Sequence, residues 1–196
     1  SYSPNFHFLD LNFNRLNNIT LDIFGQNIYF YISNFNLKHN RITFLNILYY
    51  ENDLFSNNLD FIPIKQFKFP EMIKLILKKN KIKSLKEESF DLKYRYLAYL
   101  DLSFNKINLI EENTFQYLNM LKELDLSHNL INYLNNTFRN LKNLEKLSLK
   151  SNQIQIIQIS LFSSLENMIF LNLSFNQIRI IQEKTFLNLK NLIDLD

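Results

Sequence analysis

The feature that most constrains the fold of this chain is a pattern of leucine and asparagine that recurs about every 24 residues. Segments beginning at Leu97, Leu121, Leu144 and Met168 follow L-x-x-L-x-L-x-x-N-x-I-x-x-I/L, with methionine once in the first place, and then carry F-x-x-L. Their asparagines are 24, 23 and 24 residues apart. Because a segment this short cannot bury its own apolar side, successive segments must stack on one another.

The same frame continues toward the amino terminus in four further segments. Their frame residues are Phe6, Leu9, Leu11, Asn14, Leu16, Ile19 and Phe24, then Ile32, Phe35, Leu37, Asn40, Ile42 and Leu45, then Leu54, Asn57, Leu59, Ile62 and Phe67, then Met72, Leu75, Leu77, Asn80, Ile82, Leu85 and Phe90. We therefore expect residues 1–196 to form one array of about eight repeats, irregular over 46–70, with a ninth opening at Leu192. Since the pattern is cut at both ends, we expect a truncated array.

The spacing predicts one short strand in each repeat. In L-x-L the two leucines lie on the same face of a strand, and the residues beside them point the other way. The asparagine follows where the chain leaves the sheet, and its amide can satisfy backbone donors and acceptors there. We predict a curved solenoid with a parallel sheet on its concave side and short 3-10 or irregular segments on its convex side. The predicted asparagine ladder is Asn14, Asn40, Asn80, Asn105, Asn129, Asn152 and Asn176.

Side chains beside the strand leucines should face the concave side and are the candidate ligand contacts. They are Lys74, Lys78, Tyr99, Asp101, Glu123, Asp125, Lys146 and Phe170. One interpretation is a charge-patterned groove that orients a protein ligand. The alternative is that these charges only keep an exposed sheet soluble. Exposed aromatic side chains are the stronger contact candidates, since they bury much area at small entropic cost.

Residue types argue against catalysis, metal binding and cofactors. The chain has no cysteine and a single glycine, which excludes thiolate sites and a glycine-rich phosphate loop. His7, His39 and His128 are too far apart in sequence for recognisable metal-ligand spacing. Asp125, Ser127 and His128 contain the letters of a catalytic triad, but two neighbours on one strand project in parallel and leave no place for a base between them. We expect no enzyme activity and no cofactor.

Charge and hydropathy limit the partners. A formal charge of +3 is too mild to imply nucleic acid. No apolar run approaches the roughly 20 residues that cross a bilayer, so we expect no direct membrane insertion by this segment. Sequons begin at Asn18, Asn135 and Asn172, which are candidate glycosylation sites.

The phrases LAYLDLSFNKINLI at 97–110, LKELDLSHNLINYL at 121–134 and MIFLNLSFNQIRII at 168–181 resemble the typical 24-residue leucine-rich repeat of animals. The pattern is similar to the ectodomains of Toll-like receptors and chaoptin-type adhesion proteins, here as a fragment without caps. The resemblance implies an α/β horseshoe at the cell surface, in a membrane-anchored parent, that binds a protein ligand. An intracellular, cytoplasmic scaffold is the alternative, because the cysteine-rich caps of family ectodomains are missing.

Overall fold

The computed structural model describes residues 8–19, 34–45, 51–62 and 72–196. Within them, nine strands form one parallel sheet in sequence order, as the repeat predicts. The strands are β1 (Phe8–Asp10), β3 (Asn34–Asn36), β5 (Glu51–Asp53), β6 (Lys74–Ile76), β8 (Tyr99–Asp101), β10 (Glu123–Asp125), β11 (Lys146–Ser148), β13 (Phe170–Asn172) and β15 (Asp194–Leu195). The prediction of a leucine-rich horseshoe with this sheet on its concave side is confirmed.

The register of the sheet follows from the leucine spacing. Leu75, Leu100, Leu124, Leu147 and Leu171 are paired across neighbouring strands and are buried. Since side chains alternate along a strand, the residues on either side of each leucine face the concave surface. Each coil from β6 to β13 therefore presents its first and third strand residues in two parallel rows.

The return path of each coil is compact. Short strands pair there as β2 (Asn18–Ile19) with β4 (Phe44–Leu45), β7 (Ser84–Leu85) with β9 (Leu109–Ile110), and β12 (Ile156–Ile157) with β14 (Ile180–Ile181). Two 3-10 turns, η1 (Glu87–Ser89) and η2 (Leu92–Tyr94), occupy the same side. Behind them the frame phenylalanines stack from coil to coil, with centroid distances of 5.8 Å for Phe90 with Phe115 and 6.2 Å for Phe115 with Phe138. These rings form the back of the core.

The asparagine ladder joins each coil to the coil before it. The amide of Asn105 accepts from the backbone N–H of Ile82 at 3.1 Å and donates to the carbonyls of Leu77 and Leu102 at 2.9 and 3.0 Å. Asn40, Asn80, Asn129, Asn152 and Asn176 make the same three bonds. For Asn14 the structure describes bonds only within its own turn, to Leu11 and Asn12.

Two features of the stacking go beyond the sequence expectation. Residues 51–62 lie within the stretch expected to be irregular, yet they supply β5, and Asn57 makes the three ladder bonds. A second file of asparagines also runs along the exposed side. Asn143, Asn167 and Asn191 donate to backbone carbonyls of the preceding coil at 2.7 to 2.9 Å. Among the frame residues named above, Phe6, Phe24, Ile32 and Phe67 lie outside the described residues.

Candidate ligand-binding face

The concave sheet carries three rows of side chains that cross the coils. The first row is the first strand residue of successive coils, which from β6 onward is Lys74, Tyr99, Glu123, Lys146 and Phe170. The second row is the third strand residue, Asp53, Ile76, Asp101, Asp125, Ser148 and Asn172. The edge row follows two residues later, where the chain leaves the sheet, and comprises Lys38, Phe55, Lys78, Ser103, Ser127, Lys150 and Ser174.

The first row is accessible and partly self-paired. The Lys146 ammonium donates to Glu123 at 2.8 Å, and this bond raises the pKa of Lys146. The Lys74 ammonium lies 5.2 Å from the centroid of the Tyr99 ring, a cation–π distance. Partial burial and the neighbouring carboxylates, Asp101 first among them, raise the pKa of Tyr99 to about 12. Tyr99 and Phe170 are both half-buried, so each ring has area available to a partner.

The aspartates of the second row, Asp53, Asp101 and Asp125, accept hydrogen bonds from the backbone. Asp101 Oδ1 accepts from the backbone N–H of Ser103 at 2.9 Å and from its hydroxyl at 2.6 Å. Asp125 accepts in the same way from the N–H of Ser127 at 2.8 Å. Such Asx turns hold the chain in the bend that leaves the strand. Asp101 is only 5% exposed, and burial raises its pKa, so its carboxylate offers a ligand little accessible surface.

The residue that precedes each ladder asparagine has a left-handed backbone. In coils from residue 72 onward these residues are Lys79, Phe104, His128, Ser151 and Phe175, with φ between 54° and 56°. Asn129 and its counterparts follow immediately and fix the turn, which is why non-glycine residues are held in this region. The side chains are projected past the sheet edge. Phe104 stacks on His128 at 4.0 Å, whereas Phe175 is 76% exposed with Lys150 at 5.0 Å.

The letters of a catalytic triad do not form one. Ser127 is buried and its N–H is bonded to Asp125, while the His128 ring lies against Phe104. No hydrogen bond joins the Ser127 hydroxyl to the His128 ring among the described contacts. Within the described parts of the chain, no group of three or more histidine or acidic side chains is placed to hold a metal ion. In those parts no helix has the length and apolar character to span a membrane.

The sequons occupy different surroundings. Asn135 is half-buried on the return side, and its carbonyl accepts from the Thr137 hydroxyl at 3.3 Å. Asn172 lies in β13 at 8% exposure, and its amide donates to Asp196 at 2.8 Å. Asn18 is exposed and accepts from Thr43 at 3.4 Å, although Thr20 of its sequon lies outside the described residues.

A family model described as Leucine rich repeat matches residues 95–154 and again 142–196. No curated protein matches the chain. A solved complex of TLR13 with a single-stranded RNA, ssRNA13, is 28% identical with a TM-score of 0.79, and the match covers 85% of this chain and 25% of that chain.

Two further solved structures share the fold. The glycosylated Toll–Spatzle complex of Drosophila is 24% identical with a TM-score of 0.84, over 96% of this chain and 26% of that chain. The octameric complex of Latrophilin 3, Unc5D and FLRT2, in which FLRT2 contributes leucine-rich repeats, is 23% identical with a TM-score of 0.71, over 96% of this chain and 66% of that chain. The chain spans about a quarter of the length of the TLR13 and Toll chains it matches.

Proposed function

The chain belongs to the leucine-rich repeat family, and on that premise we propose that it is a non-catalytic module that binds a protein ligand on its concave face. In this proposal the module is part of the ectodomain of a cell-surface receptor or adhesion protein and lies outside the cell. Toll is solved with Spatzle, and FLRT2 is solved in an assembly with Unc5D and Latrophilin 3. These neighbours favour a protein ligand and an extracellular position.

The observation that carries the proposal is the first row of the sheet. Tyr99 and Phe170 flank the Glu123–Lys146 pair in register, so two accessible rings lie on either side of a neutralised ion pair. Protein interfaces are enriched in aromatic side chains, and the pairing of Lys146 with Glu123 lowers the charge between the two rings. Asp101 and Asp125 of the second row hold turns, so the first row supplies the accessible rings and charges of the proposed contact surface.

The expectation of no nucleic-acid partner is not supported, because TLR13 was solved with a single-stranded RNA. The net charge of +3 says little about the charge of a local surface. The ligand class is therefore one of the quantities the experiment must determine.

A glycan placed on the concave face tests where the ligand binds. Lys146→Asn creates the sequon Asn-Leu-Ser with the native Leu147 and Ser148, at the centre of the first row. Lys146→Gln removes the same ion pair without a glycan and is the matched control. Glu183→Asn creates Asn-Lys-Thr on the return side with Lys184 and Thr185 and controls for glycan bulk. We expect ligand binding to the full-length protein to fall at least about tenfold only for the glycosylated Lys146→Asn variant.

A photo-crosslinking amino acid in place of Tyr99 identifies the ligand class. An adduct that protease removes and ribonuclease leaves intact agrees with the proposal. An adduct that ribonuclease removes would replace the protein ligand with RNA. Full binding by the variant glycosylated at position 146 would show that the ligand binds elsewhere.

A further inference from the structure

Two lysines converge on one aromatic ring at the edge of the sheet. The ammonium groups of Lys78 and Lys79 lie 5.2 and 5.9 Å from the centroid of the Phe104 ring, and that of Lys79 also lies 5.1 Å from the Phe55 ring. We call these four residues the lysine–ring cluster. Lys79 and Phe104 both have left-handed backbones, with φ of 56° at each, and this geometry brings them to the same edge.

The two lysines of the cluster form no ion pair with a carboxylate of the described residues. Ion pairs in those residues use Lys38, Lys93, Lys122, Arg139 and Lys146, and none involves Lys78 or Lys79.

Burial raises the pKa of Asp101, and the nearby Lys78 ammonium lowers it by less. The pKa of Asp101 is therefore raised overall. However, Asp101 is buried and already accepts two bonds from Ser103. Two like charges held around one ring repel each other unless an anion joins them. The rings limit side-chain freedom, so an incoming anion meets ammonium groups that are already positioned.

The positive charge is local, and this decides the form of the ligand. In the edge row, Ser103 and Ser127 follow Lys78, and the next lysine is Lys150 three coils on. The second row beside them carries Asp101 and Asp125. A long, uniformly charged polyanion laid along the coils would leave the cluster and meet these carboxylates. A short run of negative charge, joined to neutral or apolar residues, fits the surface better.

We propose that the lysine–ring cluster binds a short carboxylate-rich segment of a protein partner. The carboxylates contact the Lys78 and Lys79 ammonium groups, and apolar side chains of the segment pack on the exposed part of Phe104. This inference rests on the proposed function, because it names the chemistry of the protein ligand. The proposed carboxylate-binding site lies at the sheet edge, beside the aromatic contacts of the first row.

The test uses the full-length protein and a short fluorescein-labelled peptide of alternating Glu and Leu, followed by fluorescence anisotropy. A peptide with Gln in place of Glu is the matched probe, and an oligouridylate of equal charge represents a polyanion. We expect the Glu peptide to bind about tenfold more tightly than the Gln peptide, with the difference reduced by salt. The double variant Lys78→Gln, Lys79→Gln should lose that difference. Phe104→Leu, which removes the ring but keeps apolar volume, should reduce it by about threefold.

The control is Lys142→Gln with Lys190→Gln, which removes the same charge from two exposed lysines that form none of the described ion pairs. It should bind the Glu peptide as the wild type does. Equal loss in the control variant, or tighter binding of oligouridylate than of the Glu peptide, would overturn the inference. Unchanged thermal melting of all variants shows that folding is not the cause.

The two proposals fail separately. If a glycan at position 146 blocks the natural ligand while the Lys78 and Lys79 variant binds it normally, the cluster inference is wrong and the concave-face proposal stands. If the variant loses the Glu peptide while the glycan has no effect on the natural ligand, the concave-face proposal is wrong and the cluster remains an anion site.

Discussion

Replacing Asn129 by leucine tests whether the ladder amides hold the coils together. Asn129 Oδ1 accepts from the buried N–H of Ile107 at 3.0 Å, and its amide nitrogen donates to the carbonyls of Leu102 and Leu126 at 3.1 and 3.0 Å. Leucine has nearly the same shape and can make none of these bonds. The variant therefore removes hydrogen bonding with little change in packing volume.

The Asn129 amide also donates to the Ser127 carbonyl at 3.2 Å, and that carbonyl keeps the N–H of Phe104. The variant therefore loses four bonds, which differ in cost. The Leu102 carbonyl keeps the amide of Asn105, and the Leu126 carbonyl keeps the amide of Asn152, both at 3.0 Å. Each of these carbonyls loses one of two partners, at a net cost of about 1 kcal/mol. The Ile107 N–H is left buried without any partner, which costs about 1–3 kcal/mol. The leucine side chain buries more apolar surface than asparagine, which offsets part of this cost. We therefore expect a loss of about 3 kcal/mol in the free energy of unfolding.

Urea unfolding followed by circular dichroism measures the loss in the free energy of unfolding. Hydrogen exchange of the Ile107 amide measures how far that N–H loses its protection. Asn143→Leu is the matched control, since it is the same change at an exposed position that donates one bond, to the Asn119 carbonyl at 2.7 Å. That control should cost at most about 1 kcal/mol. If Asn129→Leu cost no more than Asn143→Leu, or if the Ile107 amide stayed protected, the stranded-donor reasoning would be refuted.

Three further outcomes follow from the concave face and the sequons. Asp101→Asn should raise the unfolding midpoint at neutral pH, because burial raises the pKa of the Asp101 carboxyl and so disfavours its charged form in the folded state. Asn172 shows that an asparagine can make the same turn without charge. Melting curves across pH should show this gain shrink as the pH falls toward 3.8, the ordinary pKa of the carboxyl. Between pH 10 and about 12 an unfolded chain ionises Tyr99 before the folded one does, so the folded state loses stability as pH rises. Tyr99→Phe should remove that loss, which solvent screening limits to about 1 kcal/mol, and a flat difference between the two melting curves would contradict the assignment. In secreted protein, glycopeptide mass spectrometry should find a glycan on Asn135 and none on folded molecules at Asn172, whose amide is buried against Asp196; a folded species glycosylated at Asn172 would contradict this.

The sequence predicted which residues lie on the concave surface. It did not predict which of them bond to the backbone and which are accessible to a ligand. Alternation along the strand placed Asp101 and Asp125 on the same face as Tyr99 and Glu123, and all four were candidate contacts. The structure separates them, because the aspartates accept backbone bonds from the serines two residues later. The D-x-S spacing carried that signal, since an Asx turn needs an acceptor at this distance from the N–H.

The sequence also contained a second periodicity that the frame did not use. Asn143, Asn167 and Asn191 recur every 24 residues, and each donates to the coil before it. Likewise Asn57 could have joined the ladder, although its segment lacks the early leucines. The segment of Asn57 keeps the later frame residues Leu54, Leu59 and Ile62, which are buried, and with them the ladder bonds form.

The amino-acid sequence by itself determined the coil. Which face of a strand is buried depends on residues two apart, so the recurrence of Leu100, Leu124 and Leu147 specified the sheet, its parallel register and its place on the inner side. Only the tertiary structure decided which polar side chains are available to a ligand. The partial exposure of Lys78 and the burial of Asp101 depend on what the adjacent coils place beside them, and those neighbours are separated by a full repeat along the chain.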